Sequence, residues 1–218
     1  MKIEWEARTT ICPGSLKSRS LNLLSIMVQT RAFGLPSPAI QRDHVQMKRI
    51  LVIGTSGSGK STFAQKLSEC LRLPFFASDH FYWEPGWKTA SPEKVHQQVL
   101  DVICQKAWVL DGNFDHEHEW VWQQADCIIW LDYSLMIILR RIASRNMRWV
   151  LTRQPTWSGN QMNMQRAMSG IRHAVKSYSE KRQNYPKWLP ELSDAILYRF
   201  QTSHEADVWL QSLNQRIE

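Results

Sequence analysis

Residues 50–63 read Ile-Leu-Val-Ile-Gly-Thr-Ser-Gly-Ser-Gly-Lys-Ser-Thr-Phe, and this stretch constrains the chain more than any other. The apolar run Ile50 to Ile53 has the length and composition of a buried strand. Three glycines follow, Gly54, Gly57 and Gly59. Without a Cβ they take positive φ freely and let the backbone come close to a ligand. A turn of this kind aims consecutive N–H groups inward and makes an anion-binding concavity. Phe63, Leu67, Cys70 and Leu71 then recur at helical spacing. The helix they predict turns its free N-terminal N–H groups and positive dipole end toward the same point.

The spacing is G-x-x-x-x-G-K-S, the Walker A pattern, in the strand-turn-helix context that pattern demands. It predicts ATP as ligand, cradled by Gly54, Thr55, Ser56, Gly57, Ser58, Gly59, Lys60, Ser61 and Thr62. Lys60 is expected to reach the β- and γ-phosphates, and the Ser61 hydroxyl to ligate Mg²⁺.

Downstream, apolar runs near 73–78, 107–110, 127–131 and 195–200 alternate with helical patterns. Ser91-Pro92-Glu93 and Thr202 to Glu205 carry helix-start chemistry. The expected fold class is α/β: a parallel sheet of about five strands, helices on both faces, and a helical lid at about 140–168. In such a sheet ligands sit at the carboxyl ends of the strands, where Asp79, Asp111 and Asp132 all fall. Asp111 is read as the second Mg²⁺ residue, with Asp132 competing for that role. Asp79 is read as a general base toward an acceptor hydroxyl or, alternatively, as a helix cap. Tyr82, Trp83 and Trp87 are read either as a pocket wall or as core.

Charge narrows the partners. Between Arg140 and Lys187 there are eleven Lys or Arg and one acid, Glu180. This imbalance exceeds ordinary helix-face pairing and asks for a polyanion. Arg140, Arg145 and Arg148 are the expected lid arginines over a transferring phosphoryl group. A nucleotide-gated regulator that binds DNA through residues 140–187 is the alternative. The four cysteines show no C-x-x-C spacing, and no apolar run approaches the roughly eighteen residues of a membrane span. A cytoplasmic protein without a membrane partner is expected. Residues 1–46 are rich in Ser and Pro and hold six Lys or Arg against three acids. They are read as a disordered extension, with Met47 the natural start of a 47–218 domain, or else as a targeting segment.

The blocks 54–62, S-D-H-F-Y-W-E-P-G-W at 78–87, W-V-L-D-G-N-F at 108–114 and I-I-W-L-D at 128–132, with the arginine-bearing helix after them, carry a resemblance. Residues 47–213 resemble the adenylate-kinase-like P-loop proteins of the DNA topology modulation (FlaR-related) family. The resemblance implies a nucleoside-monophosphate-kinase-like fold with an ATP site and a mobile lid, and an ATP-dependent phosphotransferase acting on a small molecule or nucleotide. One departure bears on the acceptor. Adenylate kinases carry an Arg soon after the D-G motif and another in the helix covering the acceptor nucleotide. Here neither Asp111 to Glu117 nor Glu93 to Lys106 contains one. A phosphorylated acceptor calls for a bidentate guanidinium, so a hydroxyl acceptor is favoured, as in shikimate- or gluconate-type kinases. A non-catalytic ATP-binding protein is the remaining alternative.

Overall fold

The computed structural model describes residues 47–115, 117–192 and 195–217. The expectations for residues 1–46 lie outside the described residues. Five strands form the main sheet: β1 (Arg49–Gly54), β2 (Phe75–Ala77), β5 (Trp108–Asp111), β6 (Cys127–Leu131) and β7 (Ile196–Phe200). Their order is β2-β5-β1-β6-β7 and every pairing is parallel. A two-stranded antiparallel hairpin, β3 (Trp83–Glu84) with β4 (Lys88–Thr89), stands apart from it. The helices are α1 (Lys60–Leu71), α2 (Asp79–Tyr82), α3 (Pro92–Ile103), α4 (His118–Val121), α5 (Leu135–Thr152), α6 (Met164–Trp188) and α7 (Ser203–Ile217).

β1 lies at the centre because Ile50 to Ile53 can bury both of its faces. Alternate side chains of a strand point to opposite sides. Ile50 and Val52 therefore join Val109, Cys127 and Ile129 against Phe63 and Leu67 of α1, Ile138 and Ile142 of α5, and Leu213 of α7. Leu51 and Ile53 join Leu110, Ile128 and Trp130 against Val95, Val99 and Ile103 of α3 and Tyr185 of α6. A sheet buried on both faces needs continuous apolar strands, which explains the unbroken runs at β1 and β6.

Helix boundaries follow their caps. Ser91 Oγ accepts from the Lys94 N–H at 3.3 Å, with Pro92 in the first turn of α3. Thr202 Oγ1 accepts from the Glu205 N–H at 3.2 Å, and Glu205 Oε2 accepts from the Gln201 N–H at 3.0 Å, a reciprocal clamp at the start of α7. Asn163 Oδ1 accepts from the Arg166 N–H at 2.9 Å and starts α6. Cys127 is buried and Cys70 half-buried, neither of them in a disulfide, while Cys104, exposed beyond the end of α3, is disulfide-bonded. Among the described residues no helix is long and apolar enough to cross a membrane.

Candidate active site

β1 delivers the chain to the glycine turn at the carboxyl edge of the sheet. The Gly54 N–H donates to Asn113 Oδ1 at 2.9 Å, which ties the start of the turn to the segment after β5. Gly54 has φ +147°, and a Cβ there would lie 2.7 Å from the Leu131 carbonyl oxygen of β6. Gly57, at φ +84°, has no room either, because a Cβ would run into the Ile142 side chain. The Ser58 N–H closes the turn on the Thr55 carbonyl at 3.0 Å. Thr55 and Ser58 are buried, Ser56 is half-buried, and Ser61 and Thr62 are exposed. Gly59, left-handed at φ +93°, caps α1 with no side chain on its first amides. The open helix end therefore faces the turn's own concavity, the arrangement that favours an anion.

Four charged side chains converge there from different elements. Lys60 starts α1, and its Nζ donates to the Thr55 carbonyl at 3.5 Å. Burial pulls its ammonium below the usual lysine range, while Asp111 and Asp79 pull the other way. Asp111 ends β5, 3% exposed. Its Oδ2 accepts from the Ser61 hydroxyl, whereas its Oδ1 is buried with no partner among the described residues. Burial pushes this carboxyl above the ordinary range, opposed by Lys60 and the Ser61 hydrogen bond. The Ser61 and Asp111 oxygens are hard donors, and the unpartnered Oδ1 has spare capacity. This donor set fits Mg²⁺.

Asp79 is the first residue of the four-residue α2, and the cap residue before it, Ser78, makes no side-chain capping bond. The Asp79 carboxylate makes no capping bond among the described residues. It faces Lys60 and Arg145, and burial raises its pKa despite both cations.

The arginines divide. Arg145 on α5 is half-buried between the rings of Trp149 (4.7 Å) and Trp157 (5.8 Å), opposite Asp79. Arg141 was not singled out from sequence, yet it is the arginine that touches the turn. Its NH1 donates to the Ser58 carbonyl at 2.8 Å, and its guanidinium lies over the Tyr133 ring. Helical spacing carried that signal: 141, 145 and 148 share one face, whereas 140 is about 100° away from 141. Arg140 and Arg148 are exposed and line, with Arg141, Arg145, Ile137, Ser144 and Ser203, an open cavity of about 580 Å³. Ser203 opens α7, so this cavity lies between the α5 arginines and the β7–α7 junction.

Asp132 does not join the site. It is 4% exposed and held by Arg182 at 2.9 and 3.1 Å and Arg199 at 2.5 and 3.0 Å. Its position at a strand end matched Asp111, but its long-range partners make it a structural anchor. Ion pairs account for part of the basic run: Arg182 with Asp132, Lys181 with Asp115 and Lys176 with Glu180. Trp83 and Trp87 belong to the hairpin and meet edge to face at 5.4 Å. Tyr82 packs against the α3-side core, its hydroxyl pushed up by burial and by Glu117, Asp115 and Asp79.

No family model and no curated protein matches the chain. Solved structures do. Shikimate kinase from Acinetobacter baumannii in complex with shikimate matches at 18% identity and TM-score 0.50, covering 79% of this chain and 93% of that one. Shikimate kinase from Bacteroides thetaiotaomicron matches at 18% and 0.48, over 78% and 96% of the two chains. A gluconokinase from Sinorhizobium meliloti 1021 matches at 14% and 0.44, over 78% and 93%. At such identities the first of these establishes shared architecture alone. The chain has the P-loop kinase fold: a five-stranded parallel sheet with helices on both faces.

Proposed function

We propose that the protein is an ATP- and Mg²⁺-dependent phosphotransferase that moves the γ-phosphoryl group of ATP onto a hydroxyl of a small-molecule acceptor. The observation that carries this reading is the meeting of Lys60, Asp79, Asp111 and Arg145 beside an uncapped helix N-terminus and a glycine turn. The amides of residues 54–62 and Lys60 hold the β- and γ-phosphates. Arg141 and the β7–α7 junction border the nucleoside end. Ser61 and Asp111 hold Mg²⁺, which when bound neutralises charge on the phosphate oxygens.

The acceptor oxygen attacks the γ-phosphorus while Asp79 takes its proton. The new O–P bond forms as the bond to the β-phosphate oxygen breaks, and ADP leaves. Arg145, drier than a surface arginine and opposite Asp79, offsets charge spreading over the equatorial oxygens. An unphosphorylated acceptor fits the charge inventory, because Lys181 is already committed to Asp115. Similarity to a shikimate kinase agrees with this choice without naming the acceptor.

The test is ADP release, measured by a coupled assay across nucleosides, nucleotides, sugars and small hydroxy acids. Turnover with a hydroxyl acceptor and loss of it in Asp79→Asn are expected. A preference for nucleoside monophosphates would overturn the acceptor assignment, and no turnover with any acceptor would overturn the enzyme assignment.

A further inference from the structure

The turn between α5 and α6 is fastened to the β3–β4 hairpin across more than seventy positions of chain. Four hydrogen bonds do this among the described residues. The Trp87 N–H donates to Asn160 Oδ1 at 2.8 Å, Trp87 Nε1 to the Gln161 carbonyl at 2.9 Å, Asn160 Nδ2 to the Glu84 carbonyl at 3.0 Å, and Ser158 Oγ to the Trp83 carbonyl at 2.5 Å. Asn160 is at the centre and 4% exposed. Its Nδ2 also donates to the Trp157 carbonyl at 2.9 Å, so one amide holds hairpin and turn together through both of its ends. Only a carboxamide both accepts and donates twice in this way. Trp87 and Gly86 sit at φ +59° and +78°, a turn conformation that costs energy at Trp87 and needs support from its surroundings.

The rings extend this clasp toward the chemistry. Trp83, Trp87, Trp157 and Trp149 follow one another edge to face, at centroid spacings of 5.4, 6.2 and 5.4 Å. The guanidinium of Arg145 lies over the last two rings. The Arg166 guanidinium lies over Trp87 at 4.9 Å. Arg145 Nε is buried without a hydrogen-bond partner, so ring faces and the charge of Asp79 set where it points. Loosening Trp157 therefore frees Arg145.

We propose that Asn160 is a positioning residue: it locks the α5–α6 turn onto the β3–β4 hairpin and, through Trp157, sets the Arg145 guanidinium opposite Asp79. The proposal rests on the phosphotransferase reading only in giving Arg145 and Asp79 their roles. The clasp can be tested without it.

Asn160→Ala and Asn160→Asp are compared with the full-length wild type by near-UV circular dichroism, which reads the packed indoles. Phenylglyoxal labelling of Arg145, followed by mass spectrometry, reads its freedom. Calorimetry with MgATP and turnover of ATP with water as acceptor complete the set. In both variants the near-UV signal is expected to fall in part, since four of the eleven tryptophans line the clasp, and Arg145 labelling to accelerate. Turnover should fall roughly tenfold or more with the KM for ATP held, and MgATP affinity should stay within about twofold, because the phosphate turn is built on other elements. Wild-type labelling rates or an unchanged near-UV spectrum would overturn the proposal. So would a loss of MgATP affinity in step with turnover, which marks general damage. If neither variant folds, Trp87→Phe keeps the backbone bond to Asn160, removes the bond to the Gln161 carbonyl and shrinks the ring between Trp83 and Trp157, and it must shift labelling in the same direction. A wild type that binds MgATP but does not hydrolyse it leaves the enzyme reading to the acceptor screen, while the spectrum and labelling still decide the clasp.

Discussion

The Ser61 hydroxyl donates to Asp111 Oδ2 across fifty positions of chain. Parallel pairing of β1 with β5 makes this possible, because Val52 stands level with Asp111 and the turn after β1 brings Ser61 back over the sheet edge. The other carboxylate oxygen of Asp111 has no partner among the described residues. A buried acceptor left open is costly unless something binds it. Asp111→Asn is therefore expected to spare folding and weaken ATP binding about tenfold or more in the presence of Mg²⁺. Without Mg²⁺ it should change little. Calorimetry with and without the ion checks this. Equal losses in both conditions would remove Asp111 from the metal site.

Asp79 links pH to both stability and turnover. Its folded pKa lies above the 3.8 of the free side chain because burial disfavours the carboxylate. Between those two values the folded protein binds more protons than the unfolded chain. The stabilising contribution is thus complete below the unfolded value and is lost as pH rises through the folded one. Asp79→Asn should raise the melting temperature at neutral pH and leave it unchanged near pH 3. The acid limb of the kcat profile should lie above the usual aspartate range in the wild type. A wild-type limb at the unshifted value would remove Asp79 as the base.

Substitution of Asp132 is expected to cost stability rather than nucleotide binding. Asp132→Ala leaves Arg182 of α6 and Arg199 of β7 without their shared carboxylate. Both arginines reach solvent, with side chains 44% and 32% exposed, so the cost is expected at about 2 kcal/mol rather than the larger loss of a fully buried pair. That corresponds to roughly 4–8 °C in melting temperature. MgATP affinity should stay put. A drop in affinity without a drop in stability would place Asp132 in the site after all.

Gly57→Ala tests the turn itself. The added methyl meets Ile142 of α5 at a φ of +84°. Strain plus contact should cost at least about 1 kcal/mol and weaken nucleotide binding together with stability. Unchanged affinity in scanning calorimetry with MgATP would mean that the turn's shape is not what binds.

Local chemistry was readable from sequence and long-range chemistry was not. The turn at 54–62 announced itself because its glycines, lysine and serine lie within nine residues. β6 was placed to the residue because Cys127 to Leu131 is buried throughout and has no competing period. The β3–β4 hairpin escaped notice because its strands are two residues long and its second left-handed position is a tryptophan, not a glycine. Asn160 carried no signal at all, since its meaning lies in Trp87 and Glu84, more than seventy residues upstream. Asp132 and Asp111 look alike as strand-end acids, and only their neighbours in space separate an ion-paired anchor from an open oxygen.

The central claim is that the amides of residues 54–62 and Lys60 bind the phosphates of ATP. Titration of MgATP into the purified protein by isothermal calorimetry tests it most directly, with Lys60→Ala in parallel. A saturable one-to-one isotherm is predicted for the wild type, weakened about tenfold or more by the substitution, or about 1.4 kcal/mol. No heat with any purine triphosphate, or the same affinity in Lys60→Ala, would contradict it.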